Sequence, residues 1–228
     1  MEKYKIKSIN FLDAHKIWES SPNACIYNNP FFLKNYKNIK FLGAFKGNEI
    51  MCCWPVCNNE KKMIIPNFFY YFGPYWSKKI IEQPRHSWLS ISNNVYSKFI
   101  EFFSKNFKII NFLLHHSLLD IRIFDWWNYN NKNKKRFNII PRYSALINFL
   151  EKNNLKKIMS NYRYVRRYEI KNFLENESKL EICDQNLEEM SDLYFSSNSN
   201  KYSKAEEKNL RNDLIKLFNL AINGFGAI

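Results

Sequence analysis

Ile39-Lys40-Phe41-Leu42-Gly43-Ala44-Phe45 and Glu49-Ile50-Met51-Cys52-Cys53-Trp54-Pro55-Val56 stand on either side of Lys46-Gly47-Asn48. Both flanks are rich in apolar and aromatic residues, and Gly47-Asn48 supplies the residue types that a tight reversal needs. The segment reads as a β-hairpin. Upstream of it, residues 3–9 read as a short strand and Asp13–Trp18 as a helix. Phe31–Tyr36 reads as a second helix that starts behind Pro30. Downstream, Lys62–Ile65 and Phe68–Phe72 carry strand signals, the latter stopped by Gly73-Pro74. After Pro84 the period changes. Trp88, Ile91, Val95, Phe99 and Phe102 recur in steps of three and four, which predicts one face of a long helix. Strand signals return at Lys108–Leu114, Leu119–Trp126 and Phe137–Phe149. The fold class that follows is α/β (α+β), with helices against one mixed sheet.

The chain has 228 residues, 46% of them hydrophobic and 18% aromatic, enough to bury a core and too apolar for a disordered chain. Only 5 glycines leave little room for glycine-rich nucleotide loops. A formal net charge of +14 points to an anionic partner such as nucleic acid, a phosphorylated ligand or a lipid head group. The abundance of Lys, Asn, Ile, Phe and Tyr is that expected of AT-rich coding, so part of the charge is compositional. The N-terminal Met1–Lys7 lacks the apolar run of a signal peptide, and no window reaches the length of a membrane span. Five cysteines without a secretory signal favour reduced thiols and a cytoplasmic location. Cys52-Cys53 cannot both ligate one ion from a regular strand, since neighbours point to opposite faces, and no CxxC pair completes a zinc site. No metal is expected.

Beyond Glu151–Asn154 the organisation changes. A helix is predicted over Leu155–Leu174, a strand over Lys179–Cys183, and a further helix after Asn186-x-x-Glu189 with Leu187, Met190 and Leu193 on one side. Ser203-x-x-Glu206 has the form of a capping box. It starts a helix with Leu210, Leu214, Leu217 and Ala221 as its apolar stripe. Gly224–Ile228 reads as the start of another strand. The order of residues 179–228 repeats that of residues 3–45, which predicts a duplicated fold: a first domain over 1–152, a connecting basic helix over 153–178, and the opening β-α-α-β of a second domain over 179–228.

Three segments could carry chemistry. Asp120, Arg122, Phe124 and Trp126 alternate, so a regular strand would place them on one face, where the carboxylate and guanidinium form a charge-assisted pair or hold a ligand. His115 and His116 would then point to opposite faces and read as packing or surface residues. Tyr70–Trp76 combines aromatic density with a chain breaker, and Tyr71 and Tyr75 are candidates to line a cleft by stacking. On the 155–174 helix, Lys156, Arg163, Arg167 and Lys171 form a basic stripe beside Leu155, Met159, Tyr162, Ile170 and Phe173. Arg166 falls within the apolar stripe, so it should pair with Glu169 or meet an anion. No serine-hydrolase elbow or zincin motif occurs.

Taken in order, Asn29-Pro30-Phe31, Phe41–Gly47, Trp54-Pro55, Tyr71-Phe72-Gly73-Pro74, Asp120–Trp126, Pro141–Ala145 and Arg167–Lys171 resemble the FemAB-like branch of the GNAT acyltransferases over nearly the whole chain. The resemblance implies two tandem GNAT-like domains, the second truncated here. It also implies N-acyl transfer to an amine, of a cell-envelope or sugar precursor, from acyl-CoA (acetyl-CoA) or aminoacyl-tRNA as donor. Asp120 is then the candidate general base. Arg122, Arg142, Arg163, Arg166 and Arg167, with Tyr71, Tyr75 and Trp126, are candidates for substrate binding. The family's Q/R-x-x-G-x-G/A cofactor motif is missing: Ala221 stands three residues before Gly224-x-Gly226. Two other readings compete. One is an RNA- or tRNA-binding module built on the basic helix stripe and aromatic loops. The other is a non-catalytic remnant.

Overall fold

The computed structural model describes residues 4–118, 120–142, 159–160, 162–175, 186–198 and 201–220. They form two compact units, one of residues up to Asn138 with those from Asn186 onward, the other within Ile139–Gln185. The first runs β1 (Lys5–Ile9), α1 (Phe11–Ser20), α2 (Pro30–Leu33), β2 (Ile39–Lys46), β3 (Glu49–Asn59), β4 (Lys62–Ile64), β5 (Tyr75–Trp76), α3 (Lys78–Ile81), α4 (Arg85–Asn106), β6 (Ile109–Ile110) and α5 (Arg122–Asp125). The sheet has the order β1-β2-β3-β4-β6, with β5 also on β3. All pairings are antiparallel except β4–β6, so the sheet is mixed, and helices flank it.

The predicted hairpin is the centre of this sheet. Gly47, at φ 61°, and Asn48 make the reversal, and Lys46 pairs with Glu49. Strand alternation then sorts the core into two layers. Leu42, Ala44, Cys52, Trp54 and Val56 face one cluster, in which Val95, Phe99 and Phe103 of α4 are buried. Phe41, Cys53 and Cys57 face the other, with Ala14 and Ile17 of α1 and Phe32 and Leu33 of α2. Burial of each such large apolar side chain contributes about 1.5–3 kcal/mol. A bulge interrupts the alternation: Ala44 pairs with Cys52 but Phe45 with Ile50. Met51 is the extra residue, which puts Met51 in the α4 layer beside Cys52 and sends Ile50 to the opposite one.

On the far side of β3 the neighbouring strand is broken. β4 pairs with Cys57–Asn59 and β5 with Cys52 and Cys53, while residues 65–74 leave the sheet between them. Pro55, which has no N–H to donate, falls in that gap. The Phe68–Phe72 strand expected from sequence is this excursion. Phe68 has φ 65° and Phe69 N–H donates to the Pro66 carbonyl, so Asn67-Phe68 makes a turn at the point where a strand was expected to start. Within the excursion Phe72 forms an isolated bridge with Leu113, and the chain rejoins the sheet at Tyr75. A Cβ on Gly73 would lie 2.8 Å from the Leu113 carbonyl oxygen, so only glycine allows this approach.

Local caps fix the helix starts. Asn10 accepts from the Asp13 amide at the head of α1, and Asn29 from Phe31 at the head of α2, with Pro30 at its first position. The α2 helix ends at Leu33, short of the expected Tyr36. The Lys108–Leu114 strand shrinks to Ile109–Ile110 plus the Leu113 bridge. Of the expected Leu119–Trp126 strand, residues 120–126 form none, and Leu119 lies outside the described residues. Asp120 accepts from the Arg122 amide two residues on, an Asx turn that starts the single helical turn of α5. Of the expected 137–149 strand, residues 137–142 have no regular structure and the rest lies outside the described residues.

The expected second domain is described only from Asn186. Helices α7 (Leu187–Ser196) and α8 (Lys204–Leu220) group with the first unit, whereas the sequence drew a boundary before them. Asn186 caps α7 through the Glu189 amide, and the Ser203–Glu206 box forms at α8. Leu214 is buried, and Leu217 and Leu220 pack on the α1/α2 layer. Asp213 meets Asn67, and Tyr194 packs edge-on against Phe68, both from the excursion. Leu193, expected on the apolar side of α7, is 72% exposed; Ser191 and Phe195 are the buried residues. The expected strands at 179–183 and 224–228, with Ala221, lie outside the described residues.

In the second unit, helix α6 spans Tyr164–Glu175. The sequence predicted one helix over Leu155–Leu174; Met159 and Ser160 are helical, but Tyr162 lies in a bend before the helix that starts at Tyr164. No helix among the described residues is long and apolar enough to cross a membrane.

Candidate functional site

The excursion at 65–74 and the chain beyond β6 bring aromatic rings and imidazoles together. Tyr71 packs at 4.8 Å from His115 and 5.8 Å from His116, and Tyr27 meets Tyr70 and Tyr71 edge-on. The two histidines do not face apart as strand neighbours would. Their rings are 4.1 Å apart, because the strand has ended and residues 115–118 form a turn closed by Leu118 N–H on the His115 carbonyl.

Within that turn Ser117 Oγ lies 2.8 Å from His115 Nδ1, and the Ser117 amide also donates to Nδ1, at 3.3 Å. An amide can only donate, so Nδ1 is an acceptor and the neutral ring carries its proton on Nε2. Ser117 therefore points its hydroxyl proton at His115. Its oxygen in turn accepts from Asn23 Nδ2. Asn23 is buried and comes from the 21–28 loop, 94 residues away in sequence. Asn28 organises that loop: it accepts from Trp18 Nε1 and the Cys25 amide, both at 2.9 Å, and donates to the Asn23 carbonyl at 3.0 Å. Burial, and then the neighbouring His116, pushes the His115 pKa below the ordinary histidine value. The imidazole is neutral at pH 7. The arrangement is a hydroxyl with its proton directed to a basic ring nitrogen, fixed on a buried amide.

Asp120 and Arg122 lie just beyond the turn and pair as expected, though not across a strand face. Arg122 Nε and Nη2 donate to the two Asp120 oxygens at 2.9 and 2.6 Å. That fork holds the Asp120 carboxyl below its usual pKa, which makes it a weak proton acceptor. The helical turn puts Arg122 and Trp126 four apart, so the guanidinium lies over the indole at 5.6 Å. Trp126 is 59% exposed. Tyr75, expected in a cleft, is fully buried in β5, its hydroxyl donating to the Ala14 carbonyl at 3.0 Å; it is a core residue out of reach of a substrate.

Arg142, Arg163, Arg166 and Arg167 belong to the second unit and are all exposed. Arg166 does pair with Glu169, at 2.6 Å, but on an open helix face rather than within an apolar stripe. Arg163 precedes α6 and Arg167 lies within it, so the basic stripe is not one continuous helix. Lys156 lies outside the described residues. Cys52 and Cys53 are buried in opposite layers, and burial raises both thiols well above their usual pKa. Among the described residues no group of three or more His, Cys, Asp or Glu converges as a metal site would.

Sequence reasoning missed Ser117 and Asn23. A serine two residues after a histidine was visible, but its significance depends on a strand ending early and on a partner from the far end of the chain. No family model, curated protein or solved structure matches the chain.

Proposed function

We propose that the protein is an N-acyltransferase of FemAB/GNAT type, which moves an acyl or aminoacyl group from acyl-CoA or aminoacyl-tRNA to an amine of a cell-envelope or sugar precursor. The ordered motifs from Asn29 to Lys171 support the family, and a mixed sheet flanked by helices agrees with it. The observation that carries the chemistry is the Ser117 hydroxyl held 2.8 Å from a neutral His115. An acceptor amine must lose a proton as its nitrogen attacks the acyl carbon and the thiolate or ribose oxygen leaves. Ser117 Oγ takes that proton while passing its own to His115 Nδ1, and the imidazolium returns it to the leaving group. Asn23 holds the serine oxygen in place. The Tyr71 ring, against both histidines, forms one wall. Asp120, locked to Arg122, gives up the role of base to His115 and steadies the guanidinium instead. The test is N-acylation of an amino-sugar by the full chain with each donor, where His115→Gln is expected to lower the rate by about 10²–10⁴.

A further inference from the structure

The segment from Arg122 to Phe137 forms a compact surface loop that supplies acyl transfer with no base or proton carrier. It carries five cations, Arg122, Lys132, Lys134, Lys135 and Arg136, against one carboxylate, Asp125. Two aromatic residues pin its ends: Trp127 and Phe137 pack on the α4 core layer, beside the buried Phe124. Between them the chain folds on itself. Asn128, at φ 58°, donates through its side chain to the Lys135 carbonyl at 2.8 Å, and Arg136 donates to the Asp125 carbonyl at 3.1 Å. Successive turns close at Tyr129, Asn131 and Lys134. The loop is therefore built rather than loose, which lowers the ordering cost of binding.

Two large rings stand out from this scaffold. Trp126 is 59% and Tyr129 61% exposed, and each carries a guanidinium on its ring, Arg122 at 5.6 Å and Arg136 at 4.7 Å. Lys132, Lys134 and Lys135 are exposed and make no ion pair among the described residues. We infer that this loop binds single-stranded nucleic acid, with bases stacked on Trp126 and Tyr129 and the backbone phosphates on the three lysines. Aromatic platforms beside cations are what an unpaired strand needs, since every base has a π face and every phosphate a charge. At the tip, the exposed Asn130 and Asn133 add side-chain amides for base edges and no aliphatic wedge, while Asn128 and Asn131 hold the loop itself. A lipid surface would need such a wedge, and the guanidinium on each ring opposes insertion into hydrocarbon. The site differs from the 156–171 helix to which sequence alone assigned the charge. It is independent of the acyl-transfer reading, because none of its residues enters that chemistry as a base or proton carrier.

The test is fluorescence anisotropy of a labelled 12-nucleotide single-stranded RNA titrated with the full chain. Binding is expected to weaken with salt. Trp126→Ala and Tyr129→Ala should each lower affinity about fivefold or more, with Trp126→Phe retaining most of it. Replacing Lys132, Lys134 and Lys135 by alanine should make the slope of log affinity against log salt shallower by about 2. Thermal melts of the same variants check folding, and exposed positions should leave them near the parent. Equal affinity for a blunt duplex overturns the inference, as does preference for vesicles of 30% phosphatidylserine. Loss of binding in Arg163→Ala/Arg167→Ala with no effect at Trp126 and Tyr129 overturns it too.

Discussion

Ser117 directs its hydroxyl to His115 Nδ1 across 2.8 Å, and its own amide to the same atom. In the resting site Nδ1 is thus an acceptor and the ring is neutral, in the same sense as burial and then His116, which lower the His115 pKa.

The first expectation concerns pH. His115 should titrate below the ordinary value of about 6.5 when its imidazole is followed by NMR. His116→Gln should move that titration upward, by the smaller of the two causes. The linked stability has a definite sign. With the folded pKa below the unfolded one, the unfolded chain binds the extra proton first, so the contribution is complete above about pH 6.5 and is lost as pH falls through the folded pKa. A His115 titration above about 6.5 would contradict the burial and the His116 contact assigned to the ring.

Gly73→Ala tests the approach that forms the site. The added methyl meets the Leu113 carbonyl oxygen at 2.8 Å, and a backbone oxygen cannot swing aside. Denaturant unfolding should show a loss of about 1–3 kcal/mol. The Phe72–Leu113 bridge should lose amide-exchange protection. Unchanged stability would mean the excursion is not held where it is described.

In the α4 layer, Trp76 Nε1 donates to the Tyr96 hydroxyl at 2.9 Å, with both residues buried. Tyr96→Phe keeps the ring and leaves the indole N–H without its partner. The expected cost is about 1–3 kcal/mol. Trp76→Phe in that background should then cost less than in the parent, and strict additivity would argue against the bond.

Leu214→Ala asks whether α8 is part of the first unit. The side chain is 4% exposed, so truncation should cost about 2–5 kcal/mol in a single cooperative transition. A separate early transition, or no change, would mean that α8 stands apart from the sheet.

Those elements differ in how plainly the chain announces them. The Gly47-Asn48 hairpin was readable because two continuous apolar runs flank a turn, and the Arg85–Asn106 helix because a period of about 3.6 is sustained over many residues. The Ser203–Glu206 and Asn186–Glu189 caps were readable because they are local chemistry. Leu119–Trp126 misled for the same reason: its alternation imitates a strand, but the Asp120 side chain takes the Arg122 amide and turns the backbone. Parity also failed at Met51, where one bulged residue exchanges the faces of Ile50 and Met51. Asn23 and Ser117 could not be joined from sequence, since no periodicity connects residues so far apart. The buried Tyr75 directly follows the Gly73-Pro74 breaker in an aromatic run whose members range from the exposed Tyr70 to the buried Phe72, and only the pairing of β5 with β3 decides its fate.

The central claim is N-acyl transfer through the Ser117–His115 pair. It is tested most directly by mass spectrometry of an amino-sugar incubated with the full chain and acetyl-CoA, and in parallel with aminoacyl-tRNA. The account predicts an N-acylated product with at least one donor, reduced about 10²–10⁴-fold in His115→Gln and in Ser117→Ala while both variants melt near the parent. No product with either donor, or product formation indifferent to both substitutions, would contradict it.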